Sequence, residues 1–111
     1  MSRPLVVTID APRLERLPAA VEVAAYRIAL EALTNVSRHA GAGRATVRLA
    51  LNGSLELEVT DDGAGLADDA RPSVGLGSMR ERAAELGGTC TIDRVPGGGT
   101  RVLARLPMRE E

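Results

Sequence analysis

The stretch "YRIALEALTNVSRHA" (residues 26–40) lies inside a run from Ala19 to Ala40 that holds neither glycine nor proline. Across that run Val21, Ala24, Ala25, Ile28, Ala32 and Val36 recur at three- and four-residue intervals, the period of one helix face. "GAG" at 41–43 supplies the stop. The spacing predicts a helix over 19–40, about 21 residues and roughly 31 Å long. Beside the apolar stripe runs a polar one, with Arg27, Glu31, Asn35 and the chain's only histidine, His39, four residues apart, and Arg38 next to it. Read alone, that stripe is a solvated helix face with an Arg27–Glu31 charge pair.

Outward from the helix, the pattern turns to strands. "PLVVTI" (4–9), rich in β-branched residues, predicts a first strand, followed by a loop through Pro18. "RATVRLAL" (44–51) alternates, with Ala45, Val47, Leu49 and Leu51 on one face, and Asn52 and Gly53 form a hairpin turn into "LELEVTD" (55–61). Residues 62–78 are rich in Gly, Asp, Ser and Pro without a hydrophobic period, a loop long enough to carry function. "MRERAAEL" (79–86) is a short helix stopped by Gly87 and Gly88, and "TCTIDRV" (89–95) and "TRVLARL" (100–106) are strands joined by a "PGGG" hairpin. Hairpin-joined strands and two helices with apolar faces to bury predict an α+β two-layer sandwich, its helices on one face of a mixed, mostly antiparallel sheet. At 111 residues this is a single domain spanning 1–111.

Composition narrows the chemistry. The net charge of −1 gives no general electrostatic case for nucleic acid or an anionic membrane surface. No apolar run approaches the ~20 residues that span a bilayer. All 14 basic residues are arginine, so no phosphate loop ending in Gly–Lys, no protein-kinase strand lysine and no Schiff-base lysine can form. One histidine excludes paired-His zinc sites, leaving carboxylates, amides and phosphates as metal ligands. With no Phe or Trp and one Tyr, aromatic stacking on nucleic-acid bases is nearly excluded and the core must be Ala, Val, Leu and Ile. The single cysteine, Cys90, falls in a predicted strand and reads as a packed thiol in a cytosolic protein.

Three glycine-containing clusters keep company with the polar stripe. In "DDGAG" (61–65) Asp61 ends a strand, Gly63 and Gly65 let the backbone turn close to a ligand, and the carboxylate can accept hydrogen bonds from an exocyclic amine. "VGLGSMRER" (74–82) closes the long loop at a helix start, where free N–H groups favour phosphate. The third, Gly97–Thr100, reads as a hairpin. Each alone is also an ordinary turn or connector.

Taken in order, "YRIALEALTNVSRHA", "DDGAG", "GLGSMRERAAELGG" and "GGGTRVLARLP" resemble the ATP-binding catalytic domain of two-component sensor histidine kinases, of the nitrate/nitrite-sensor and desaturase-sensor type. That family shares a superfamily with the Hsp90, gyrase and MutL ATPases. The resemblance runs from the first strand to about Pro107 and implies a Bergerat-type ATP-binding fold with ATP and Mg²⁺ as cofactors. It implies that Asn35 holds the magnesium that bridges the phosphates. Glu31, on the same side, polarises a magnesium-bound water or assists proton removal from the acceptor, and is a second candidate metal ligand. Arg38 contacts phosphate and His39 lines the pocket. Asp61 accepts from the adenine amine, with Gly63 and Gly65 giving the base room. Gly75, Leu76, Gly77, Ser78 and Met79 form the lid hinge and phosphate-facing turn, and Thr100 lies near Asp61 under the adenine.

The chain departs from the family pattern at Ser73 and Ser78, where glycines are common. It also lacks the dimerising segment with the phosphoacceptor histidine. The resemblance therefore implies a fragment of a larger, often membrane-anchored kinase, a cytosolic domain without membrane contact of its own. Its partners would be ATP, the dimerisation domain that carries the acceptor, and a response regulator downstream. Two rival readings are a serine kinase of the anti-sigma-factor type, against which Tyr–Arg–Ile and Met–Arg–Glu–Arg argue, and a nucleotide-binding interaction module without transfer activity.

Overall fold

The computed structural model describes residues 6–11, 17–36, 43–63, 76–96 and 98–108. In chain order the elements are β1 (Val6–Asp10), α1 (Ala19–Asn35), β2 (Arg44–Leu51), β3 (Ser54–Asp61), α2 (Leu76–Glu85), β4 (Thr89–Arg94) and β5 (Thr100–Pro107). The strands form one sheet in the order β1-β2-β3-β5-β4. β1 runs parallel to β2, and the other three pairings are antiparallel. The parallel pair follows from the connection, because a crossover through α1 returns the chain to the end from which β1 started.

Alternation decides the layers. Leu55, Leu57 and Val59 of β3 lie opposite Leu106, Ala104 and Val102 of β5, and all six side chains are buried. Above them sit Val21, Ala24, Ala25, Ile28 and Ala32 of α1 and Met79 and Ala83 of α2, with Cys90 of β4 in the same cluster. Each large aliphatic side chain buried there contributes about 1.5–3 kcal/mol relative to exposure. The opposite face is polar: Glu56 pairs with Arg105 at 3.2 Å, and Arg101 reaches Asp93 at 3.2 Å and Glu58 at 3.8 Å. These partly exposed pairs suit a solvated sheet face and add little stability.

Several boundaries differ from the sequence reading. α1 is described through Asn35, and Val36 keeps helical dihedrals while donating its N–H toward Ala32 and Leu33; the predicted continuation over 37–40 lies outside the described residues. α2 starts at Leu76, three residues before the predicted helix. The first turn of a helix needs no intrahelical N–H bonds, so Leu–Gly–Ser can form it before the apolar period begins at Met79. Leu51, assigned to the buried face, is 48% exposed because it sits at the outer end of the β2–β3 hairpin, where Gly53 takes φ +76°. Every residue of β1 is exposed, Ile9 at 69%, since this edge strand has no helix over it among the described residues. Tyr26 stays out of the core: with Val23 and Leu30 it forms an exposed apolar stripe on α1.

Two turns close as glycine chemistry requires. Gly87, at φ +77°, ends α2: its N–H donates to Ala84 at 2.9 Å and that of Gly88 to Ala83 at 2.8 Å, the paired bonds of a Schellman cap. Across the final hairpin the N–H of Val95 donates to the carbonyl of Gly99 at 3.0 Å. Cys90 is a buried free thiol, and burial pushes it above its ordinary range, so it is inert packing.

Candidate functional site

Topology gathers the described candidate residues at one end of the sheet. β3 finishes at Asp61, opposite Ala45 near the start of β2, and β5 begins at Thr100 beside it. α1 delivers its C-terminal turn toward the same end, because residue 43 enters β2 there. α2 runs back toward the start of β4, so its N-terminal turn, with Gly77 and Ser78, also lies at the Thr100 end. The apolar periods of α1 and α2 thus fix which helix ends approach the strand ends.

Asp61 is the most constrained of these residues. It is only 8% exposed, and its Oδ1 accepts the N–H of Gly63 at 2.8 Å. Burial pushes its carboxyl above the ordinary value of 3.8; the N–H of Gly63 pulls it back, the neighbouring Asp62 charge pushes it up again, and the backbone of Thr100 pulls it down. Thr100, at 8% exposed, is the other buried polar residue among those described. Gly99 completes this corner at φ +97°: a Cβ there would collide with the carbonyl oxygen of Asp61 and lie 3.1 Å from its carbonyl carbon. Glycine is thus needed for both dihedral and space.

On α1, Glu31 and Asn35 are half-buried and one turn apart. The Asn35 Nδ2 is buried without a hydrogen-bond partner among the described residues, a group whose desolvation costs about 1–3 kcal/mol unless something binds it. The Arg27–Glu31 pair of the solvated-face reading is not among the ion pairs of the described residues. Gly77 is exposed and Ser78 half-buried at the start of α2, where Leu76 supplies the first helical residue. Met79 is 1% exposed and its side chain packs into the core. Arg38, His39, Gly65 and Gly75 lie outside the described residues, as does Ser73.

The donor set suits a shared metal rather than a caged one. No group of three or more His, Cys, Asp or Glu side chains among the described residues could hold a metal by itself. An amide oxygen with one nearby carboxylate matches magnesium, which keeps several waters and takes its remaining ligands from phosphate. Turning the Asn35 amide by 180° exchanges its oxygen and nitrogen in the same space, so the unpartnered group can present either atom. A groove of ≈ 360 Å³ between α1 and α2, lined by Ala19, Val23, Arg82 and Leu86 among others, lies at the opposite end of both helices.

The family described as histidine kinase-, DNA gyrase B- and HSP90-like ATPase matches residues 20–110. The chain belongs to this family. Its α+β sandwich is that of the family's histidine kinases: the blue-light activated histidine kinase of Erythrobacter litoralis EL346 superposes with a TM-score of 0.78 at 26% identity, over 94% of this chain and 35% of that one. The ATP binding domain of PrrB from Mycobacterium tuberculosis, at 23% identity, shares the fold with a TM-score of 0.67 over 96% of this chain and 82% of that one. In sequence the ATPase-family domain is similar to the sensor histidine kinase LiaS of Bacillus subtilis, 43% identical over 94 residues, 82% of this chain and 26% of LiaS. The sensor protein VraS of Staphylococcus aureus strain COL is 36% identical over 99 residues, 86% of this chain and 28% of VraS. The chain thus spans about a quarter of the length of these relatives.

Two residues that the sequence reading passed over belong to this corner. The sequence marks Gly99 only as a hairpin glycine and gives Asp62 no role. The signals were the doubled Asp before Gly63 and a glycine run ending directly before Thr100.

Proposed function

We propose that this domain binds Mg²⁺–ATP and presents the γ-phosphate to a histidine on a separate dimerisation domain, as part of a two-component sensor kinase of the nitrate/desaturase-sensor type. The observation that carries it is the buried Asn35 amide, unpartnered among the described residues, on the helix whose C-terminal turn lies toward the Asp61 end of the sheet, in a chain of this ATPase family. The names of its relatives, LiaS and VraS, support the sensor-kinase assignment.

In this reading Asp61 selects the base. A carboxylate has about four acceptor directions, and the Gly63 N–H uses one, leaving others for an exocyclic amine. Gly63, directly after the acidic pair, would leave room for the base against the backbone, while Gly99 lets β5 approach the Asp61 main chain. Asn35 and Glu31 are the described residues that would hold Mg²⁺, which when bound neutralises phosphate charge. Glu31, one helical turn before Asn35, orients a water or takes the acceptor's proton. Arg38, His39 and the Gly75–Met79 turn would complete the phosphate side, with Gly65 beside Gly63 at the base. Catalysis rests on positioning and charge neutralisation, as in phosphoryl transfer generally. The domain works in the cytosol, with the response regulator engaged by other parts of the parent kinase.

The test is transfer in trans. Incubated with γ-labelled ATP, Mg²⁺ and a separate dimerising-helix domain of a related kinase, the chain is expected to label that domain with acid-labile phosphohistidine. Acid-stable label would point to a serine kinase, and binding without transfer to a nucleotide-binding module.

A further inference from the structure

Beside Asp61, a second carboxylate makes contacts that the mechanism above does not use. Asp62 is exposed, yet its Oδ1 accepts two backbone N–H groups, from Gly43 at 3.0 Å and Arg44 at 2.9 Å. Its own N–H donates to the carbonyl of Arg44 at 3.1 Å. The regular β2–β3 register ends at Ala45 opposite Asp61, so the next rung would set Arg44 opposite Asp62. In an antiparallel rung the Arg44 N–H would go to the main-chain carbonyl of Asp62. Here the side chain takes that donor instead, and a second one from Gly43. The main-chain carbonyl of Asp62 is released from the ladder, and the chain can turn at Gly63, whose N–H closes back on Asp61 Oδ1. Gly43 is held on its other side as well, its carbonyl accepting the N–H of Val6 at 2.9 Å.

We propose that Asp62 is a positioning residue for base recognition: by standing in for its own carbonyl it ends the β2–β3 ladder at a fixed rung and so sets the direction of the Asp61 carboxylate. The role rests on the assignment of Asp61 to the adenine amine. What matters is an acceptor oxygen at this position, not a contact with nucleotide. The two N–H bonds keep the Asp62 carboxyl below its ordinary range, consistent with a charge-assisted clasp.

The experiment compares Asp62→Ala, which removes the acceptor, with Asp62→Asn, which keeps one. Affinities for non-hydrolysable ATP and GTP analogues give the adenine preference, and amide hydrogen exchange reports Gly43 and Arg44. Asp62→Ala is expected to lower the adenine preference by about tenfold, as the loss of a charged hydrogen-bond acceptor would, and to speed exchange at both amides. Asp62→Asn should stay within about twofold of the unaltered chain. Should Asp62→Ala melt without a cooperative transition, Asp62→Ser, a weaker acceptor, is expected to fall between the two. Full preference in Asp62→Ala, or equal loss in Asp62→Asn, overturns the proposal. If the unaltered chain binds both analogues alike, the adenine assignment of Asp61 fails, and unchanged exchange at Gly43 and Arg44 in Asp62→Ala separately refutes the clasp.

Discussion

The two halves of the candidate site are prepared differently. At the end of β3, Asp61 is already bonded by Gly63, approached by the Thr100 backbone, and backed by a glycine with no room for a side chain. On α1, Asn35 carries a buried amide nitrogen with no partner. The fold itself supplies the geometry that would read a base, because strand ends and turns fix main-chain donors. The helix supplies a polar group that has no partner among the described residues. Specificity would therefore be built in before binding, while the phosphate and metal side is completed by the ligand.

That contrast can be broken in order of expected effect. Asn35→Ala should remove the magnesium-dependent part of nucleotide affinity, about a hundredfold for a lost ligand and its charge neutralisation. It should leave the melting temperature unchanged or slightly raised, since it deletes an unsatisfied buried group. Titration with and without Mg²⁺, alongside thermal melts, reads both; a large drop in melting temperature would mean that the amide is structural. Gly99→Ala attacks the other half. It forces a side chain onto the Asp61 carbonyl at a dihedral that alanine disfavours, and should cost about 2–3 kcal/mol in urea unfolding. A stability change below about 0.5 kcal/mol would show that the corner is more pliant than its geometry implies.

Asp61→Asn should show the smallest effect on stability, with the sign reversed. Because burial raises the folded-state pKa of Asp61 above 3.8, the folded chain holds this proton more tightly than the unfolded chain. Its contribution to stability is full at acid pH below the unfolded value and is lost as pH rises through the folded value. At neutral pH the asparagine variant should therefore melt higher, by about a few degrees, while losing base selectivity. Nucleotide affinity of the unaltered chain should fall as pH drops through the raised pKa, because only the ionised form offers every acceptor site. A variant that melts lower at pH 7 would mean that the N–H bonds from Gly63 and Thr100 outweigh the burial.

Much of this molecule was legible from its residues. Alternation in "RATVRLAL" placed Ala45 and Val47 on a buried face with Leu49 packed against it, and the 3.6-residue period chose the buried side of α1 correctly. Periodicity shows which face is apolar, but not whether anything covers it. Hence Leu51 and the whole of β1 are exposed where the pattern suggested core or strand alone. The start of α2 was missed because its first turn is Leu–Gly–Ser, which carries no period. Gly99 was read as hairpin because a glycine's dihedral freedom looks the same for any turn; its collision with Asp61 exists only once β3 and β5 are side by side. Asp62 was invisible for a similar reason, its partners lying 18 and 19 residues away. At the site, the expectations for Asn35, Asp61 and Thr100 fall at one end of the sheet, whereas those for Arg38, His39, Gly65 and Gly75 lie outside the described residues.

The most direct measurement is calorimetric titration of the domain with a non-hydrolysable ATP analogue, in the presence and absence of Mg²⁺. Binding that Mg²⁺ strengthens at least tenfold, that a GTP analogue does not reproduce, and whose preference for the ATP analogue over the GTP analogue Asp61→Asn removes in both conditions is the predicted result. Equal heats with and without the metal, or binding indifferent to the base, would contradict the division between a preformed base-reading corner and an amide that awaits its ligand.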